Sequence, residues 1–144
     1  MTNGEQILRN TASLFLERGC KSVTMDEVAS ANGMSKRTLY ELFHDKAKLL
    51  QECILLMHRD NMICSEEELA NTGNVLEWFM RSLENKDQNR MSNYYDFFTE
   101  VKRYYPEVFI NVVQDVNRRH CGLLERIVER GQREGMFITD ILDA

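Results

Sequence analysis

The sequence predicts an all-α protein, and three observations carry that prediction. No stretch sustains the period-two alternation of a half-buried strand, and no Asn-Gly or Asp-Gly pair sits between β-branched runs. Helix breakers are scarce, with one proline and seven glycines in 144 residues. Apolar residues instead recur at +3 and +4 spacing in one segment after another. The composition, 43% hydrophobic and 28% charged, is that of an ordinary globular chain, and its length suits one or at most two compact units.

The first helix is predicted from about Glu5 to Arg18, with Leu8, Ala12 and Phe15 on its apolar stripe, Ile7 and Leu14 widening it, and Gly19 ending it. Thr24-Met25-Asp26-Glu27 has the form of a capping box opening a short helix through Val28 and Ala29. Asn32-Gly33 breaks that helix, and Ser35 caps another from Lys36 to about Leu42, with Leu39 and Phe43 as its core residues. Asp45 caps a fourth helix carrying Leu49, Leu50, Cys53, Ile54 and Met57 on one face. The acidic run Glu66-Glu67-Glu68 and Thr72-Gly73 then predict a boundary, and Asn74-x-x-Glu77 is a second capping box, leading a helix with Leu76, Phe79, Met80 and Leu83. Glu84 to Arg90 reads as a polar loop and Ser92 as the cap of the next helix, which stops before Pro106. Pro106 starts a long final helix that Gly131 to Gly135 closes.

The net charge is −5, yet it is unevenly placed. Residues 1–48 hold seven Lys/Arg against six Asp/Glu, and the rest hold eleven against seventeen. The amino-terminal segment is therefore free to meet phosphate, while the remainder resists nonspecific adhesion. The four cysteines, Cys20, Cys53, Cys64 and Cys121, form no C-x-x-C pair, so reduced thiols are expected, with no metal site. The start of the chain lacks the basic and apolar regions of a leader peptide, and no apolar run reaches the ~18 residues of a membrane span. A cytoplasmic location without membrane association is expected.

Two short helices joined by a Gly-containing turn make a helix-turn-helix candidate. The run from Ile7 to Leu50 closely resembles the amino-terminal domain of the TetR family of bacterial regulators. Ala12, Phe15, Gly19, Thr24, Val28, Ala29, Gly33, Ser35, Thr38, Leu39, Tyr40, Phe43, Lys46 and Leu49 stand in one ungapped register with it. The resemblance implies a helix-turn-helix domain over residues 1–48, a helical regulatory and dimerisation domain over 49–144, and a recognition helix starting at Lys36. It also implies DNA-facing roles for Thr24, Ser35, Lys36, Arg37, Thr38, Tyr40, His44 and Lys46. The residue chemistry agrees. Ser35 and Thr38 suit phosphate at a helix amino terminus, and Tyr40 and Lys46 suit the DNA backbone. Arg37 suits the bidentate reading of guanine O6 and N7, and Lys36 suits either task. Against the family pattern the chain is short at its carboxyl end, stopping at Ala144.

The family further implies a homodimer on double-stranded operator DNA and an effector cavity in the second domain. The aromatic and methionine density from Trp78 to Tyr105 suits an apolar pocket for a small apolar or amphipathic molecule. Met57, His58, Trp78, Tyr94 and Phe98 are the candidate ligand residues, with His120 as a further polar anchor. The expected function is a repressor released from its operator by such a ligand. The alternative is a DNA-bound adaptor of the same fold, governed by a protein partner and lacking a small-molecule cavity. No Gly-rich phosphate loop, nucleophile elbow or metal-spaced histidine pair occurs, so neither an enzyme nor a cofactor is expected.

Overall fold

The computed structural model describes residues 3–84 and 88–138. Among them are α1 (Asn3–Arg18), α2 (Met25–Ala31), α3 (Lys36–Phe43), α4 (Lys46–Asn71), α5 (Val75–Glu84), α6 (Gln88–Tyr104) and α7 (Pro106–Arg133), and no strand. The stripe predicted for α1 turns inward: Ile7, Ala12 and Phe15 are buried, joined by Thr11, whose hydroxyl donates to the Ile7 carbonyl at 2.7 Å. The larger core forms where these meet Val28 and Ala29 of α2, Leu39 of α3, Leu49, Leu50, Cys53 and Ile54 of α4, Phe97 and Val101 of α6, and Val108 and Val112 of α7. A smaller core gathers Met62 and Leu69 of α4, Val75 of α5 and Leu123 and Ile127 of α7.

One helix therefore serves both cores. At 1.5 Å per residue, the 26 residues of α4 extend ~39 Å. Its amino end packs under α1 and α3, and its carboxyl end packs under α5 and α7. Outside the apolar contact, Arg9 pairs with Asp60 at 2.9 Å and Arg59 with Glu5 at 2.8 Å, linking α1 to α4 along their flank. At the far end Arg130 of α7 closes α4: its guanidinium donates to the carbonyls of Leu69 and Thr72, two acceptors a helix terminus leaves open. Glu134 does the converse for α5, accepting the Val75 N–H at 2.9 Å.

Three expectations need correction. The acidic run at Glu66–Glu68 is not a boundary, because α4 continues to Asn71; Met62 and Leu69 hold this stretch to the smaller core, and Glu66 pairs with Arg126 of α7. Gln88 to Arg90, read as loop, already belong to α6, so Ser92 lies in the second turn of that helix rather than at its cap. Residues 85–87 of the expected loop lie outside the described residues. The second capping box is displaced by one position: Asn74 Oδ1 accepts from the Glu77 N–H at 2.8 Å, but Glu77 reaches back to the Gly73 N–H at 2.9 Å.

Leu39 is the only fully buried residue of α3. Leu39→Ala is expected to cost ~2–5 kcal/mol in chemical denaturation, the range for emptying a packed leucine site. A loss below ~1 kcal/mol would show that α3 is held some other way.

Candidate nucleic-acid interface

The reading head is assembled from caps. Thr24 Oγ1 accepts from the Glu27 N–H at 3.2 Å, and Glu27 accepts in return from the Thr24 N–H at 2.8 Å, so α2 starts with both orphan donors satisfied. Arg18 reaches the same carboxylate at 2.7 Å. The amide of Thr24, followed by the Arg18 guanidinium, holds the Glu27 carboxyl down to about 2. α2 ends at Asn32, whose side chain donates to the Val28 carbonyl at 2.9 Å, and Gly33 takes φ +63°, which the tight turn into α3 requires. Met34 N–H donates back to the Ala29 carbonyl at 3.0 Å, fixing the angle between the two helices.

Ser35 opens α3 by accepting from the Thr38 N–H at 3.1 Å, and the Ser35 and Thr38 hydroxyls lie 2.9 Å apart. With Leu39 pinned beneath and Phe43 half-buried on the core, Lys36, Arg37, Thr38, Tyr40 and Glu41 are exposed. The Arg37 side chain is 89% accessible and, among the described residues, pairs with Glu41 at 3.0 Å, while Lys36 meets Asp26 of α2 at 3.1 Å. Ser35, Lys36, Arg37, Thr38 and Tyr40 thus share one short exposed helix. Thr24 is exposed as the cap of the preceding one.

His44 and Lys46 sit differently. His44 ends α3 with φ 61° and ψ −63°, and the Asp45 N–H donates across it to the Phe43 carbonyl at 2.6 Å. That is a γ-turn with positive φ, a rare and strained conformation for a side-chain-bearing residue. Its imidazole is exposed. Lys46 is half-buried: its ammonium donates to the Lys21 carbonyl at 3.3 Å and lies 5.9 Å from the Tyr105 ring centroid, and burial lowers its pKa. Lys46 therefore braces the α1–α2 turn from the start of α4.

Among the described residues the candidate ligand residues lie in different surroundings. Met57 and Phe98 pack on the larger core, and Tyr94 is half-buried on α6. His58 lies against His120 with ring centroids 5.0 Å apart. Trp78 alone lines the apolar groove of about 490 Å³ that Val75, Leu76 and Phe79 of α5 form with Ile127 of α7 and with Met136 and Phe137. Among the described residues Trp78 Nε1 and His58 Nε2 are buried without a hydrogen-bond partner.

The partners of the two cations, Asp26 and Glu41, were missed in the sequence, although the +4 spacing of Arg37 and Glu41 signals an intrahelical pair. Lys21, Glu100 and Tyr104, which join α6 to the α1–α2 turn, left no local signal.

Two measurements check this geometry. Because the folded-state carboxyl of Glu27 lies below its ordinary 4.5, its contribution to stability is complete above that value and is lost as pH falls from 4.5 toward about 2. Glu27→Gln should flatten that part of the acid unfolding curve followed by circular dichroism, and an unchanged curve would contradict the assignment. For His44→Gly, relief of ~1–3 kcal/mol of backbone strain opposes ~0.4–1 kcal/mol of added unfolded-chain freedom. Thermal denaturation should show stability held or raised, and a clear fall would mean that the turn carries no strain.

Residues 7–53 match the family model described as bacterial regulatory proteins, tetR family. The HTH-type transcriptional repressor KstR2 of Mycobacterium tuberculosis is 23% identical over 141 residues, covering 94% of this chain and 70% of that protein. The HTH-type transcriptional activator FasR of Mycolicibacterium smegmatis is 27% identical over 108 residues, 74% of this chain and 45% of that one. Among solved structures, the TetR family regulator PfmR from Thermus thermophilus superposes with a TM-score of 0.63 at 29% identity, covering 92% of this chain and 73% of that one. A regulator from Saccharomonospora viridis, solved with choline, shares the fold with a TM-score of 0.74 at 18% identity, covering 97% of this chain and 76% of that one. The capped, outward-facing α3 lies within the segment that matches the tetR family model, so residues 7–53 are similar to the DNA-binding domain of TetR-family regulators.

Proposed function

We propose that the protein is a repressor that reads operator DNA as a homodimer in the cytoplasm and is released by a small apolar molecule. The observation that carries the reading role is α3 itself. Only Leu39 of this helix is fully buried, which leaves Lys36, Arg37, Thr38 and Tyr40 exposed on it. In this reading Arg37 contacts guanine, Thr24, Ser35, Thr38, Tyr40 and His44 hold phosphates, and Lys36 serves either. Lys46 supports the head from behind and adds its charge to the field. Residues 1–48 would act as the reading domain and 49–144 as the regulatory and dimerising one. One head covers too few base pairs for a specific address, and twofold pairing places two heads about 34 Å apart. Repression is favoured over activation because the KstR2 proteins, which are repressors, align across 94% of the chain, against 74% for the activator.

The groove beside α5 supports the ligand step. Its volume of about 490 Å³ falls within the usual range of small-molecule sites, and its walls are apolar. Among proteins of this fold, KstR2 of M. tuberculosis is described as a ketosteroid transcriptional regulator and the S. viridis protein was solved in complex with choline. The lining here fits an apolar molecule. Met57, His58, Tyr94 and Phe98 would then act on the ligand step only through packing. One observation favours the adaptor reading: α5 leaves Leu76, Phe79, Met80 and Leu83 between 44% and 58% exposed, a face that a partner protein could cover.

On a duplex selected from a randomised library, Arg37→Ala should lose ~1–3 kcal/mol of discrimination at one base position. Lys36→Ala should weaken all sequences alike and reduce the salt slope by about one charge if Lys36 holds phosphate. Unchanged binding by both variants would place the reading surface elsewhere. Trp78 is the only tryptophan, so its fluorescence reports the groove directly. A steroid or fatty acyl compound that quenches it should also release DNA. Quenching without release would contradict the ligand gate.

A further inference from the structure

We infer that Glu100 is a positioning residue for DNA reading, its carboxylate on α6 gripping the α1–α2 turn and setting the tilt of the reading head. The inference rests on the chain's role as a DNA-binding regulator and assigns the element that aims α3.

The α1–α2 turn is held from two sides through Lys21. Its backbone N–H donates to Glu100 Oε1 at 2.9 Å, and its carbonyl accepts from Lys46 of α4 at 3.3 Å. Its side chain lies over the Tyr104 ring, 4.6 Å from the centroid, with the ammonium 3.5 Å from the phenol oxygen. The fit at the carboxylate is close. Gly19 has φ +84°, and a Cβ there would overlap the Glu100 carboxylate in its present position, so the carboxylate lies directly against the turn. Between these contacts Cys20 is fully buried, with Val23 just beyond.

The contacts of α6 with α1 are otherwise apolar, through Phe97 and Val101 in the larger core. Apolar packing is non-directional and tolerates small rotations, whereas a charge-assisted hydrogen bond to a backbone amide fixes register. A tilt of the turn passes onward with little loss. The Thr24–Glu27 box ties the turn to α2, and the Met34–Ala29 bond ties α2 to the α3 entry. A shift of α6 is thus passed through the turn toward Arg37, against the hold of α4 on α1 and α3.

The test uses the full chain with Cys64→Ser and Cys121→Ser, since Cys20 and Cys53 are buried. Nitroxides are placed at Ser30→Cys and Glu125→Cys, two exposed positions on α2 and α7, and the protein is diluted with unlabelled chain so that only intramolecular distances are read. Glu100→Gln keeps an oxygen that accepts the Lys21 amide and should reproduce the parent distance distribution. Glu100→Ala removes the acceptor and should broaden or shift it, with helix content by circular dichroism retained. If Glu100→Ala fails to fold, Glu100→Asp keeps the charge but withdraws the carboxylate, and it should broaden the distribution in the same way. On DNA, the folded variant should lose preference for the selected duplex over a random one while keeping its affinity for the random one, because phosphate contacts alone tolerate misalignment. A folded Glu100→Ala or Glu100→Asp with the parent distribution would overturn the assignment. Failure of the parent chain to bind any DNA would instead refute the regulator reading, and the distance measurement would still decide the role of Glu100.

Discussion

Leu49, Leu50, Cys53 and Ile54 are withdrawn from water in the core that α4 shares with α1 and α3 at one end and with α6 and α7 behind. The hydrophobic burial of this one patch fixes the base of the reading head to a helix that runs on into the smaller core. If the patch were lost, α3 would keep its Ser35 cap but have nothing to stand on, because an isolated helix of eight residues is too short to persist in water. The head is thus a tertiary object built from short helices, and the single deep anchor of α3 is Leu39.

The exposed side of α3 carries a competition that magnitudes decide. Lys36 and Arg37 are engaged by Asp26 and Glu41, but both pairs are solvent-exposed and such pairs contribute at most about 1 kcal/mol. A bidentate contact with guanine offers ~1–3 kcal/mol of discrimination, and phosphate contact adds counterion release. Under the proposed DNA contacts, the acidic partners would hold the cations in place without DNA and yield when DNA arrives. The negative balance of residues 49–144 lies outside this helix, so the net charge of −5 does not oppose the approach.

What was legible in the sequence was local. Thr24, Ser35, Asp45 and Pro106 announce helix starts through groups within three or four residues, and all four stand where their chemistry places them. What depends on distant chain was not legible. The continuation of α4 past Glu66 rests on Arg126 and on the smaller core, partners some 60 residues away. Lys46 looks like a free surface cation until Tyr105 and the Lys21 carbonyl enclose it. The density of aromatics between Trp78 and Tyr105 does not say which way each faces: Phe98 supports the larger core, Trp78 lines the groove, and Tyr95 is 74% exposed.

The central proposal is that Arg37, exposed beside Glu41 on a helix pinned by Leu39, reads a guanine in the major groove. Methylation footprinting at guanine N7 on a selected duplex tests it most directly. The account predicts that the parent protein protects a guanine in each half-site, and that Arg37→Ala exposes that guanine while ethylation interference at neighbouring phosphates persists. Protection unchanged by Arg37→Ala would contradict it.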